Sequence, residues 1–370
     1  MASFEKRGKK WRAVVSYTDA RGLRQKTSKT FDLKKAATAW AAETETKVNG
    51  GLDINAGNIS LPKYYKLWTE TYKKNTVREA TFVKYHSYWL NIQELFADVP
   101  LNKLTTQFLQ TQMNEFGKTH TKAYSKGFLS SIKSSLKDAQ IDGLIDKDIY
   151  SRVKPVGSVK HTDDNYLSAS EFKKLQGWLY EDNNRLFHDP FYLAVLIAVE
   201  SGARLGEILA LMFSDIDFQS NTINIDKSYS QLMKKVTPPK NVSSVRRVAV
   251  SKKLIDVLQW IKSCSNSDKL FEVPIPSNTI MRRMKLMTSR LGINQIRFHG
   301  LRHSHVSYLL HNNIDISYIS KRVGHLNVTI TLTTYAHILK EKEQAQDELV
   351  LKIMEKIILV PICHQKAYKH

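Results

Sequence analysis

Seven consecutive residues, His299-Gly300-Leu301-Arg302-His303-Ser304-His305, bring three imidazoles and a guanidinium together. A structural core rarely needs so many polar groups in one place. A zinc site is a poor explanation: His299 and His303 stand four apart, as in a zinc-protease helix, but Gly300 occupies the position where that motif needs its catalytic Glu. A second guanidinium stands upstream in Ser201-Gly202-Ala203-Arg204-Leu205-Gly206-Glu207. The Ser-Gly pair interrupts an apolar helix, and a new helix begins near Leu205. Arg204 is thereby placed at a helix N-terminus, where free N–H groups and the dipole already favour an anion and a guanidinium can grip a phosphate in two places. Taken alone, an Arg204–Glu207 surface pair is the plainer reading. Further on, Ile316, Ile319 and Val323 mark a short amphipathic helix that Gly324 terminates, with His325 just beyond it. Tyr335 follows ten residues later in Thr334-Tyr335-Ala336-His337. A lone Tyr on a helix is usually a packing residue; here the order of the groups is what matters.

The elements that must position these groups fall into a mainly α, multidomain chain. Residues 1–35 carry eleven Lys or Arg against three acids. They alternate β-formers over Trp11–Tyr17 and Leu23–Phe31 about an Asp19-Ala20-Arg21-Gly22 turn, and a helix follows over 33–48. The expectation is a small sheet of two or three strands backed by one helix, occupying 1–55. Arg12, Arg21, Arg24 and Lys26 would be available there for phosphates or base edges, a solvated basic surface being the plainer alternative. Residues 60–153 read as four or five helices without strands. Lys122, Lys126 and Lys133 are plausible phosphate contacts, though each is more simply surface charge. Residues 154–166 form a Pro/Gly/polar linker. A further domain, 167–345, opens with the capping box Ser168-Ala169-Ser170-Glu171 and combines helices with a small antiparallel sheet over Thr222–Ile225 and Val245–Val250. Thr237-Pro238-Pro239-Lys240-Asn241 forms a turn between extended stretches, and 346–370 is a C-terminal tail.

The 370 residues suit two or three domains, and 56 Lys and Arg against 35 Asp and Glu leave a formal charge of +21. That charge calls for a polyanionic partner, nucleic acid before a membrane surface. No apolar run approaches the roughly 20 residues of a membrane span, and Met1–Lys10 lacks the apolar core of a signal peptide, so a cytoplasmic protein without membrane partners is expected. Cys264 and Cys363 alone build neither a disulfide framework nor a four-cysteine zinc site.

Arg204, Lys240, His299-x-x-Arg302, Gly324-His325 and Tyr335, in this order and at these separations, resemble the active-site series of the tyrosine recombinases of the phage-integrase type. The likeness spans about 165–340. The all-α region before it looks like the family's core-site-binding domain, and residues 1–55 look like the arm-binding domain of phage and conjugative-transposon integrases. Lys234 and Lys235 lie near enough to compete with Lys240 for the family's lysine. The resemblance implies a reaction without metal or other cofactor. Arg204 and Arg302 would clamp the phosphate, Lys240 would protonate the leaving oxygen, His299 would accept or relay the nucleophile's proton, His325 would hydrogen-bond the phosphate and Tyr335 would attack it. A phenol ionises near pH 10, so attack at neutral pH requires proton removal in the transition state or strongly cationic surroundings, and both are expected here. The implied partners are double-stranded DNA with core-type and arm-type sites, three further copies in a tetramer, a host DNA-bending protein and an excision factor.

Three other functions compete. A type IB topoisomerase shares the nucleophile and clamp but needs no separate basic N-terminal module. A non-catalytic DNA-binding regulator explains the charge but not the ordered series of groups. A chromosome-dimer resolvase usually lacks an arm-binding domain, so residues 1–55 favour integration and excision of a mobile element such as a prophage.

Overall fold

The computed structural model describes residues 2–18, 22–49, 58–159, 165–239, 241–341 and 343–357. At the N-terminus, β1 (Ala2–Arg7), β2 (Lys10–Thr18) and β3 (Arg24–Phe31) form an antiparallel sheet in that order, followed by α1 (Lys34–Asn49). The period of two along β2 turns Ala13, Val15 and Tyr17 inward. Small residues on both sides, Ala13 with Ala37 and Ala41, let α1 lie close against this face. The register pairs Arg12 with Thr30, Ser16 with Lys26 and Thr18 with Arg24, so Arg12, Arg24 and Lys26 share the opposite, open face. Arg12 Nη2 donates to Ser28 Oγ at 2.9 Å, which lays its guanidinium along that face. Arg21 lies outside the described residues.

Four helices make up the following region: α2 (Leu61–Tyr72), α3 (Glu79–Phe96), α4 (Thr106–Thr119) and α5 (Lys122–Ile141). Thr105 and Thr121 cap the last two by accepting from the backbone N–H of Phe108 and Tyr124. Apolar residues at helical spacing, among them Trp68, Ile92, Phe96, Phe128, Ile132 and Leu136, close one core. Lys122 and Lys126 stand exposed on α5. Lys133 differs, donating to the Ser151 carbonyl at 3.0 Å and so serving as a tie to the following segment.

Residues from 165 onward belong to a second compact unit. It opens with α6 (Ala169–Tyr180), whose Ser168/Glu171 capping box forms as the sequence indicates. A six-residue α7 (Asn183–His188), too short for a periodic signal, precedes α8 (Pro190–Ser201). Helix α8 is apolar on every side and runs through the centre of the core, with Leu193 to Val199 all buried. After α9 (Leu205–Ile208) come β4 (Ile216–Asp217), β5 (Thr222–Ile225), β6 (Ser228–Ser230), β7 (Lys235–Thr237) and β8 (Arg246–Ala249). Strands β4, β5 and β8 form one antiparallel sheet, whereas β7 turns back onto β6 as a separate hairpin. The stretch expected as a turn between two strands thus leads out of that hairpin toward the main sheet, and Lys240 within it lies outside the described residues. Helices α10 (Lys252–Ser263), α11 (Ser277–Leu291), α12 (Phe298–His311), α13 (Ile316–Val323), α14 (Val328–Glu341) and α15 (Glu343–Ile357) complete the unit, with α12 packed against α6 and α8. No described helix is long and apolar enough to cross a membrane.

Candidate active site

Arg204 owes its position to the way α8 stops. Gly202 adopts a left-handed φ of 66° as the C-cap, after which the chain extends and Arg204 becomes the N-cap of α9. A side chain is excluded at this cap, since a Cβ on Gly202 would lie 2.7 Å from His305 Cδ2 and 3.2 Å from Val323 Cγ1. Gly202→Ala should therefore lose roughly 1–2 kcal/mol to the left-handed backbone alone, with overpacking added. Urea denaturation measures this, and an unchanged midpoint would contradict the packing described.

The Arg204 backbone N–H donates to Glu207 Oε2 at 2.9 Å, and its Nη1 donates to Oε1 at 2.8 Å. The buried carboxylate also accepts Arg246 Nη2 from β8 at 2.8 Å, so it holds two guanidiniums at once. Burial would raise the Glu207 pKa, but the Arg246 hydrogen bond and charge, and then Arg204, hold it below the ordinary carboxylate value. The Arg204–Glu207 pair seen from sequence does exist, and it orients the arginine without consuming it: Arg204 remains 38% exposed and its Nη2 reaches the Gly324 carbonyl at 3.3 Å.

Arg302 lies on the face of α12 that meets α8 and is 3% exposed. Its Nη1 donates to the Gly202 carbonyl at 2.9 Å, while Nη2 is buried with no hydrogen-bond partner among the described residues. Burial, and then repulsion from Arg204 and Arg246, pushes its pKa down to about 9. An anion placed here would answer both the orphaned donor and the repulsion. His299 and His325 border the same space. Each is depressed to about 4, by burial first; His303, Arg302 and Arg204 follow for His299, and Arg302 and Arg204 for His325. Gly324, left-handed at the end of α13, turns the chain so that His325 Nδ1 meets the Thr331 hydroxyl at 2.7 Å, which leaves Nε2 as the ring's other polar atom.

Tyr335 is 3% exposed and packs with Val306, Leu310, Ile319 and Val323. Its backbone (φ −113°, ψ 19°) breaks α14 at this residue. Its hydroxyl meets His303 Nδ1 at 2.8 Å, a partner that the sequence did not indicate. Burial pushes the phenol above its ordinary pKa, and the Arg302 charge offsets this only in part. Cationic surroundings were expected to help ionise the phenol; here desolvation outweighs them. The third imidazole of the run, His305, is structural. Arg322 Nε donates to its Nε2 at 3.0 Å, leaving the proton on Nδ1 for the Val199 carbonyl at 2.7 Å. The unit therefore brings together Arg204, His299, Arg302, His325 and Tyr335.

Family models match the chain along most of its length: the phage integrase family over 178–342, the phage integrase N-terminal SAM-like domain over 60–117, and the Arm DNA-binding domain over 3–48. The chain belongs to the phage integrase family of tyrosine recombinases. It is 26% identical over 289 residues to the integrase of Staphylococcus phage L54a, covering 69% of this chain and 81% of that one. It is 32% identical over 199 residues to the ICEBs1 integrase of Bacillus subtilis strain 168, covering 49% and 53%. Among solved structures, the Tn1549 transposon integrase in complex with transposon right end DNA superposes with a TM-score of 0.65 at 16% identity, over 79% of this chain and all of that one. A lambda integrase tetramer bound to a Holliday junction gives 0.57 at 18% identity, over 88% and 96%. At these identities the superpositions establish the recombinase fold.

Two residues of this recombinase's site escaped the sequence reading. His303 carried a usable signal, since positions 299 and 303 share one helical face and their rings meet edge to face at 4.9 Å. Arg246 carried none: its link to Glu207 spans 39 residues and depends on where β8 lies.

Proposed function

We propose that the protein is a site-specific recombinase that joins Tyr335 to a DNA phosphate, giving a 3′-phosphotyrosine and a free 5′-hydroxyl, and then rejoins strands to integrate and excise a mobile element such as a prophage. The buried Nη2 of Arg302, which has no hydrogen-bond partner among the described residues and sits within electrostatic reach of Arg204 and the Tyr335 phenol, carries this reading. Arg204 and Arg302 clamp the non-bridging oxygens, where charge develops. His325 hydrogen-bonds the phosphate, and His299 relays the nucleophile's proton. Lys240 protonates the departing 5′ oxygen. The phosphotyrosine conserves the free energy of the phosphodiester, so rejoining needs no ATP.

Residues 1–55 act as the arm-site module, with Arg12, Arg21, Arg24 and Lys26 toward the major groove. Residues 60–153 grip the core site, with Lys122 and Lys126 on phosphates and Lys133 in a supporting part. Residues 154–166 link them to the catalytic domain at 167–345, and 346–370 form the tail. Likeness to the DNA-bound Tn1549 integrase supports action on duplex DNA, and likeness to the lambda integrase tetramer on a Holliday junction supports a tetramer. A bacterial cytoplasm, a host bending protein and an excision factor complete the proposed setting. Incubation with DNA spanning the element's ends should give a denaturation-resistant, protease-sensitive complex at one phosphate. Random cleavage would favour a topoisomerase, and no adduct on cognate DNA a regulator.

A further inference from the structure

We infer that His303 is the group that removes the proton from Tyr335 as the phenol attacks, with His299 the next imidazole in line. This rests on the reading of Tyr335 as the nucleophile. The hydroxyl lies 2.8 Å from His303 Nδ1, in a pocket that leaves Tyr335 3% exposed, so solvent has little access to take the proton. Direction follows from the two groups. Burial raises the phenol, while burial and then the Arg302 charge lower the imidazole, so both groups are uncharged at neutral pH. With the ring proton on Nε2, the bare Nδ1 accepts the phenol's hydrogen bond, which is the tautomer the inference requires.

Around His303 stand His299 and Arg302 from α12, Tyr335 from α14, and His325 from the segment joining α13 to α14. Without substrate, this surplus of positive charge opposes protonation of His303. A phosphate in the arginine clamp neutralises part of that surplus and makes the ring a stronger base, so filling the clamp arms the nucleophile. In the step itself, the Tyr335 oxygen–phosphorus bond forms as its proton passes to Nδ1. The bond from phosphorus to the 5′ oxygen breaks, and that oxygen takes its proton from the general acid assigned to Lys240. In rejoining, the 5′-hydroxyl attacks phosphorus and gives its proton back to the now neutral Lys240, the phosphorus–phenol bond breaks, and the His303 imidazolium returns the proton to the departing phenol. His299, edge to face with His303 at 4.9 Å, is placed to share the charge.

The test measures covalent-complex formation by full-length wild type and His303→Gln from about pH 5 to about pH 10. It uses core-site DNA with an ordinary scissile phosphate, and the same DNA with sulfur in place of the bridging 5′ oxygen. Sulfur leaves without a proton, so the second substrate isolates base catalysis. Wild type should lose rate below the range where imidazole is neutral and level off above it. His303→Gln should be about 100-fold slower at neutral pH, climb steadily with pH, and gain nothing from sulfur, whereas sulfur should restore Lys240→Ala. A loss of equal size at every pH, or a rate near wild type, overturns the inference. Core-site binding checks folding; should His303→Gln fail to bind, His303→Asn and the wild-type acid limb on the sulfur substrate decide the matter in the same terms. A wild type giving no Tyr335-dependent adduct would instead defeat the nucleophile assignment.

Discussion

Tyr335→Phe should bind core-site DNA as wild type does and form no covalent adduct under any condition that yields one with the native chain. The substitution removes one oxygen from a side chain that is otherwise part of a core. Val306, Leu310, Ile319 and Val323 keep their ring contacts, so α12, α13 and α14 stay packed. The lost hydrogen bond to His303 is the one structural cost, and it should be small because that ring remains half-buried rather than sealed away. A gel-shift titration paired with denaturing electrophoresis separates the two effects. An adduct from the Phe variant would refute the assignment outright, while a Phe variant that fails to bind DNA would show that the phenol's oxygen holds the unit together.

What could be read in the sequence were those parts of the site set by local rules. Gly202 and Gly324 end helices by adopting left-handed backbone, and so deliver Arg204, two residues on, and His325, the next residue, to helix ends. The Ser168 capping box is equally local. The β-forming stretches with interleaved basic residues were legible too, and the register then places Arg12, Arg24 and Lys26 on one face. Hidden were the properties that depend on what distant segments bring. The phenol's pKa direction is set by the core that encloses it, and the number of cations nearby gave the wrong sign. Its hydrogen bond to His303 joins residues 32 apart on different helices, and the second arginine on Glu207 arrives from a strand. The β6–β7 hairpin went unseen because strands of three residues are too short for alternation to announce them.

Replacement of Arg302 by Met should separate stability from chemistry. Wild-type Arg302 is a buried cation facing Arg204 and Arg246, with one donor satisfied by the Gly202 carbonyl and another by nothing within the described residues. Such a group is held against its own desolvation, and an apolar side chain of similar length is often neutral or stabilising at a buried charged position. The Met variant should therefore unfold in urea at a midpoint no lower than wild type. Its cleavage rate should nevertheless fall at least about 100-fold, on the scale of a lost oxyanion-hole donor, because in the proposed clamp Nη2 would meet the phosphate most strongly as charge builds in the transition state. Arg302→Lys should fail almost as badly: an ammonium that takes the Gly202 carbonyl lacks the second arm of the planar fork that would reach the oxyanion. Cleavage near the wild-type rate in both variants would defeat the clamp. Loss of folding in the Met variant would mean that the bond to Gly202 outweighs the cost of the buried charge.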